Sequence, residues 1–186
     1  ILVNINPAYR ASELEYALEK TGCHALVTVP GFKSSDYVAM LAGIAPELPK
    51  ARPGRLRSKQ VPELELVVTL GDEQHAGCLR YADLLAAADP KQLARLDAIA
   101  MTLDADDPIN IQFTSGTTGS PKAATLTHHN IVNNASLSAG ILRFTENDRL
   151  CVPVPMYHCF GMVLGSLLSA TRGAAIVFPS AGFDAA

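Results

Sequence analysis

Short β-rich runs alternate with stretches of helical spacing along this chain, and that alternation limits the fold more than any other feature of the sequence. Residues 2–5 form an apolar run stopped by Asn6 and Pro7. Ser12, Glu13, Leu14 and Glu15 then offer a capping box ahead of a helix that should end near Gly22. Residues 24–29 are β-rich up to Pro30 and Gly31, and residues 34–45 carry Tyr37, Val38, Leu41 and Ile44 at helical spacing. Further strands are expected over 65–70, 109–113, 149–154 and 174–178. Helices are expected over 81–88, 91–98, 128–142 and 159–170, with Thr127 as the N-cap of the helix at 128. Strands joined through helices pair in parallel, since a two-residue hairpin cannot connect them. The expected class is therefore α/β, a layered and mostly parallel sheet with helices on its faces.

Residues 46–62 interrupt this rhythm. Pro46, Pro49, Pro53 and Pro62 stand among Lys50, Arg52, Arg55, Arg57 and Lys59, which reads as an exposed, extended connection whose charge serves solvation. With 186 residues, 48% of them apolar, the chain has enough material for a core. A net charge of -3, from 15 basic and 18 acidic residues, gives no electrostatic reason to expect nucleic acid or an anionic membrane, so a small molecule is the expected partner. Cys23, Cys78, Cys151 and Cys159 show no C-x-x-C spacing and read as reduced, mostly buried thiols. The apolar segment 160–170 is broken by Gly161, Gly165 and Ser166 and falls short of the about 20 residues a bilayer span takes, so a soluble protein is expected. The first residues carry no initiator methionine and no secretion signal, and the last strand pattern stops just before the chain does. The expectation is a strand entered midway and a fold that continues.

One loop carries chemistry. Thr114, Ser115, Gly116, Thr117, Thr118, Gly119, Ser120, Pro121 and Lys122 follow directly on the β-rich run 109–113. Glycines let a backbone approach closely, consecutive N–H groups in a turn form an anion-binding concavity, hydroxyls add uncharged donors and the lysine adds a point charge. That set suits a nucleoside triphosphate. It is not the Walker pattern, which needs glycine before the lysine and a hydroxyl after it, where this chain has Pro121 and Ala123. A Ser/Thr/Gly connection with no ligand has the same composition, so composition leaves both readings open.

The whole string resembles the AMP-binding motif of the adenylate-forming superfamily, which comprises acyl-CoA synthetases, luciferases and peptide-synthetase adenylation domains. Leu126, Thr127, His128, His129 and Asn130 are similar to the helix start that follows this loop in the family. Pro155, Met156, Tyr157, His158, Cys159, Phe160 and Gly161 are similar to its P-x-x-H-x-x-G segment, and Asn4 to Tyr9 with Glu13 and Leu14 are similar to an earlier stretch. The likeness spans the chain. Within the superfamily it leans toward medium-chain fatty-acid CoA ligases, through Asp107 to Phe113 and Tyr157, His158 and Cys159.

The resemblance implies a partial N-terminal AMP-binding domain over 1–186, without the C-terminal domain that bears the family's catalytic lysine. A fragment of this kind is expected to lack full activity, to hold no catalytic residue of its own and to self-associate through an unpaired edge or an exposed apolar face. The implied reaction transfers a fatty-acid carboxylate to the α-phosphate of ATP, releasing pyrophosphate, after which the thiol of coenzyme A displaces AMP to give a thioester. ATP, Mg2+ and coenzyme A are the implied cofactors or co-substrates. The loop 114–122 is the implied phosphate grip, and Tyr157, His158 and Gly161 are the implied wall or gate of the acyl pocket. The implied location is the cytoplasm, or the mitochondrial matrix in a eukaryote. The family usually has glycine where this chain has Ala123, and if that position needs positive φ, alanine strains it by about 1 kcal/mol.

Four other readings stand beside this one. A phosphate- or nucleotide-binding module could keep the loop without catalysis, and an adenylation domain could use it on amino acids. His158 with Cys159 invites a Cys-His nucleophile, but neighbours on one backbone generally point apart. His128 and His129 lack the H-x-x-x-H spacing of a zinc site.

Overall fold

Strands and helices alternate as their patterns require in the computed structural model, which describes residues 1–114 and 121–180. The chain divides into two units, one formed by Ile1–Asn6 with the chain from Leu103 onward, the other by Pro7–Thr102. Strand β1 (Leu2–Asn4) belongs to the first.

In the second unit, helix α1 (Ala11–Thr21) buries Leu14, Ala17 and Leu18, the i, i+3, i+4 stripe that one helix face presents. Its N-cap lies at Arg10, two residues ahead of the expected Ser12, because Glu13 reaches back to accept the Arg10 N–H at 2.7 Å. The helix ends at Gly22 as expected, and the glycine takes the left-handed conformation. Strand β2 (Ala25–Thr28) leads to a two-rung hairpin, β3 (Gly31–Phe32) and β4 (Ser35–Asp36). Helix α2 (Tyr37–Ile44) starts three residues later than its periodicity suggested, since Asp36 caps it by accepting the Ala39 N–H at 2.8 Å. Strands β5 (Leu66–Thr69) and β6 (Leu79–Arg80) complete a parallel sheet of order β2-β5-β6. Val67, Val68 and Thr69 are buried on consecutive positions because β5 is the central strand, covered on both faces. Three short helices follow, α3 (Tyr81–Ala86), α4 (Pro90–Leu93) and α5 (Arg95–Ala100), where two were expected.

The connection 46–62 is not the bland exposed stretch its prolines suggested. Leu48, Leu56, Ser58 and Val61 are buried while Lys50, Arg52, Arg55, Arg57 and Lys59 stay outside. Leu48, Leu56 and Val61 anchor the segment in the core at about 2 kcal/mol each. Gly77 closes the same region at φ +77°, and a Cβ there would lie 1.8 Å from the Leu48 carbonyl oxygen, so no other residue fits.

In the first unit, β7 (Pro108–Thr114) lies between β1, in parallel register, and β8 (Lys122–Thr127), in antiparallel register. Helix α6 (His128–Ile141) is capped at Thr127 as expected: the Thr127 hydroxyl accepts the Asn130 N–H at 3.2 Å and the Asn130 side chain accepts the Thr127 N–H at 2.9 Å. Strand β9 (Arg149–Cys151) pairs in parallel with β10 (Ala175–Val177). Between them runs a helix whose first part, Phe160–Leu167, is π-wound and whose end, α7 (Leu168–Arg172), is α-helical. Ile131, Ala135 and Ala139 of α6 form a core with Val163 and Leu168, the two alanines letting the helices approach closely. Parallel pairing thus predominates, with the antiparallel pairs β3-β4 and β7-β8 as additions.

Cysteine burial departs from expectation. Cys78 is buried and Cys23 half-buried, but Cys151, on the outward face of β9, and Cys159, at the start of the π-wound helix, are exposed. All four are free thiols. No described helix is long and apolar enough to cross a membrane.

Candidate functional site

Strands β7 and β8 hold the two ends of the candidate phosphate loop. Thr114 and Lys122 are cross-strand partners in the antiparallel register, so their side chains share a face. The Thr114 hydroxyl donates to the Lys122 carbonyl at 3.5 Å, a long bond that ties the ends of the loop together. Both residues are exposed, and no described carboxylate pairs with Lys122. An ammonium without a described ion-pair partner thus stands beside a hydroxyl held only by that long bond at one end of a hairpin, a pair suited to phosphate oxygens. Ser115, Gly116, Thr117, Thr118, Gly119 and Ser120, the middle of the proposed grip, lie outside the described residues, and Pro121 is half-buried at its far end.

Ala123 needs no positive φ. It pairs with Phe113 inside β8, and the non-glycine residues at positive φ among those described are Lys33 and Arg143. The strain anticipated for alanine at this position is absent, because the chain after Lys122 is already extended strand.

The second candidate segment forms the entry to the π-wound helix. The Phe160 N–H donates to His158 Nδ1 at 3.2 Å, which makes Nδ1 an acceptor and leaves Nε2 carrying the proton of the neutral ring. The His158 N–H donates to the Pro155 carbonyl at 3.3 Å, and the Met162 N–H to the His158 carbonyl at 3.0 Å. Gly161 is buried against this turn: a Cβ on it would lie 2.4 Å from the Pro155 oxygen and 3.1 Å from Met156 Cα. Close backbone packing is thus one reason for glycine in this segment. Tyr157 is half-buried and His158 exposed.

His158 and Cys159 do not point apart as neighbours usually do. Cys159 Sγ lies 3.7 Å from His158 Nδ1, because the helical turn brings the two side chains to one side. Nδ1 is nevertheless engaged by the Phe160 N–H, so it is not a free base for the thiol. His129, at the start of α6, is held by Asp106 at 2.6 Å and donates its N–H to the Ala105 carbonyl. Among the described residues there is no grouping of three or more His, Cys, Asp or Glu that could hold a metal ion. These residues offer no ligand set for Mg2+, which enters no step proposed for them.

Between the two segments lies a group the sequence reading did not single out. Asn110 and Gln112 of β7 are 2% and 7% exposed. The Gln112 amide donates to Asn110 Oδ1 at 2.9 Å, and Asn110 Nδ2 donates to the Leu2 carbonyl at 3.0 Å. Met162 Sδ accepts from Asn4 Nδ2 at 3.5 Å and lies 3.9 Å from Gln112 Nε2. The signal was present in the sequence as two carboxamides alternating with Ile109, Ile111 and Phe113, a polar face on a strand that turns out to be central.

Comparison with known proteins places both segments in one family. The AMP-binding enzyme family matches residues 1–186. The chain is 46% identical over 186 residues to the mitochondrial medium-chain acyl-CoA ligase ACSF2 of Danio rerio, a match that covers 99% of this chain and 30% of that protein. It is 47% identical over 189 residues to the ACSF2 of Bos taurus, covering 99% of this chain and 31% of the relative. Among solved structures, ATP-bound MatB from Rhodopseudomonas palustris is 28% identical with a TM-score of 0.68, over 97% of this chain and 30% of that one. The chain therefore spans about 30% of the length of the curated relatives it matches.

Proposed function

The chain belongs to the AMP-binding enzyme family, and from that premise we propose that it is part of an ATP-dependent carboxylate–CoA ligase acting on fatty acids. The observation that carries the reading is the pairing, in one unit, of the Thr114/Lys122 hairpin end with the His158 segment, in a chain 46% identical to a medium-chain acyl-CoA ligase. In this reading a carboxylate oxygen attacks the α-phosphorus of ATP, the bond to the bridging oxygen breaks, and pyrophosphate leaves. The thiol of coenzyme A then gives its proton to solvent and attacks the acyl carbon, the acyl carbon–oxygen bond to the phosphate breaks, and AMP departs with the electron pair. Lys122 and Thr114 supply a positive charge and a hydroxyl to phosphate oxygens, which favours the departing pyrophosphate as its charge builds. Ser115, Gly116, Thr117, Thr118, Gly119, Ser120 and Pro121 complete the grip. Tyr157, His158 and Gly161 form the wall between the nucleotide and the acyl chain, with the protonated Nε2 of His158 as the polar contact it offers.

ATP and coenzyme A are co-substrates in this scheme, and the site of action is the mitochondrial matrix or the cytoplasm, the former in keeping with the mitochondrial relatives. The test is carboxylate-dependent exchange of pyrophosphate into ATP by the complete protein, with fatty acids of graded length, amino acids and Lys122→Ala alongside. Exchange with fatty acids, slowed about 10- to 100-fold by Lys122→Ala, is expected. Exchange with amino acids alone would give an adenylation domain, and none with any acid a non-catalytic nucleotide-binding module.

A further inference from the structure

The carboxamides of β7 lie between the two segments that the ligase reading assigns to nucleotide and acyl chain. Gln112 is two residues before Thr114, and strand periodicity puts both on one face. Its amide lies 3.9 Å from Met162 Sδ. Met162 follows Gly161 directly, and its N–H is bonded to the His158 carbonyl at 3.0 Å. From the other side Asn4 of β1 donates to the same sulfur at 3.5 Å, while Asn110 orients Gln112 and is itself fixed to the Leu2 carbonyl.

A thioether is a weak acceptor, and a core with methyl groups in place of these amides would pack without any need for one. Two carboxamides on one sulfur, with a third holding one of them, therefore form an arrangement in which a movement of one partner is felt by the others, since a buried amide that loses its partners is costly. The sulfur belongs to a π-wound stretch, a winding found mostly as local features at functional sites.

We infer that Gln112, supported by Asn4 and Asn110 and facing Met162, is a positioning residue that couples occupancy of the phosphate loop to the setting of the His158 segment. The inference rests on the ligase reading. Phosphate contacts at Thr114 and Lys122 fix the end of β7, and Gln112 passes that position to Met162 and so to the turn that carries His158. The direction is reciprocal, as any coupling between two ligands must be.

The test uses the complete protein and an ATP analogue with a methylene bridge between the α and β phosphorus atoms, which cannot release pyrophosphate. Its Kd is measured with and without saturating octanoate, in wild type, Gln112→Leu and Met162→Leu. The last roughly keeps the side-chain volume while removing the sulfur, so it guards against a variant that fails to fold. The quantity read is the ratio of the two Kd values. Both variants are expected to move that ratio toward 1 by about two- to tenfold. If the ladder merely holds the sheet together, both Kd values shift by the same factor and the ratio stays at its wild-type value, which overturns the inference. A wild-type ratio of 1 overturns it as well. Absence of pyrophosphate exchange with octanoate and every other acid in the wild type removes the ligase reading and, with it, this one.

Discussion

Replacing Gly161 by alanine tests whether the turn before the π-wound helix is set by backbone packing. The new Cβ would stand 2.4 Å from the Pro155 oxygen, 2.8 Å from its carbonyl carbon and 3.1 Å from Met156 Cα. All three are main-chain atoms, which cannot swing aside as a side-chain end does, so the turn and the helix must separate by most of an ångström. Overpacking of this kind costs about 1–3 kcal/mol. For a chain this long that is a fall in Tm of roughly 2–10 °C. The displaced turn carries His158, whose ring is fixed by the Phe160 N–H, so the acyl subsite should move with it. A misplacement near 1 Å costs about 100-fold in rate. The control is Gly43→Ala, in helix α2, where a Cβ meets nothing within 4 Å. That change should be neutral or stabilising by up to about 1 kcal/mol. The assay is thermal unfolding followed by dichroism, with pyrophosphate exchange measured on the same preparations of the complete protein. Unchanged Tm and unchanged exchange in Gly161→Ala would refute the packing argument; unchanged Tm with lost exchange would mean that the turn yields without cost and that the glycine serves the site alone.

Two further outcomes follow from burial and charge. Burial pushes the Cys78 thiol pKa up and closes it to reagents, so a disulfide reagent should label Cys78 only as the protein unfolds; prompt labelling of that residue in native protein, located by peptide mapping, would show the second unit to be open there. Glu65 is held below the ordinary carboxylate value, first by the hydrogen bond from Arg57 at 2.6 Å, and Asp83 likewise by Arg80. A depressed folded pKa contributes stability above the unfolded value and loses it as pH falls through the folded one, so this support fades below about pH 4.5. Urea midpoints of wild type and Arg57→Gln should therefore differ slightly at pH 7 and coincide near pH 3; an equal gap at both would mean that Arg57 acts through packing.

Much of this molecule was legible as sequence because its signals are local. The cap at Thr127 and the end of α1 at Gly22 follow from which residues satisfy a helix end within a few positions. The donors of the loop 114–122 follow from what phosphate requires, and the match to a family was readable from the order of those residues alone. Other features depend on what lies across a gap in sequence. Nothing local distinguishes Leu48, Leu56 and Val61 as core residues in a proline-rich stretch, since it is packing that buries them. Whether Ala123 is strained depends on its pairing with Phe113, and why position 161 is glycine depends on the carbonyl of Pro155. The ladder from Leu2 through Asn110 and Gln112 to Met162 joins residues up to 158 positions apart when Asn4 is counted with it. Propensity and capping act over a few residues, so the sequence determined the elements and the chemistry of the loop. Hydrogen bonds and steric exclusion act through space, and only the tertiary structure decided which of those elements touch and which residues hold them in place.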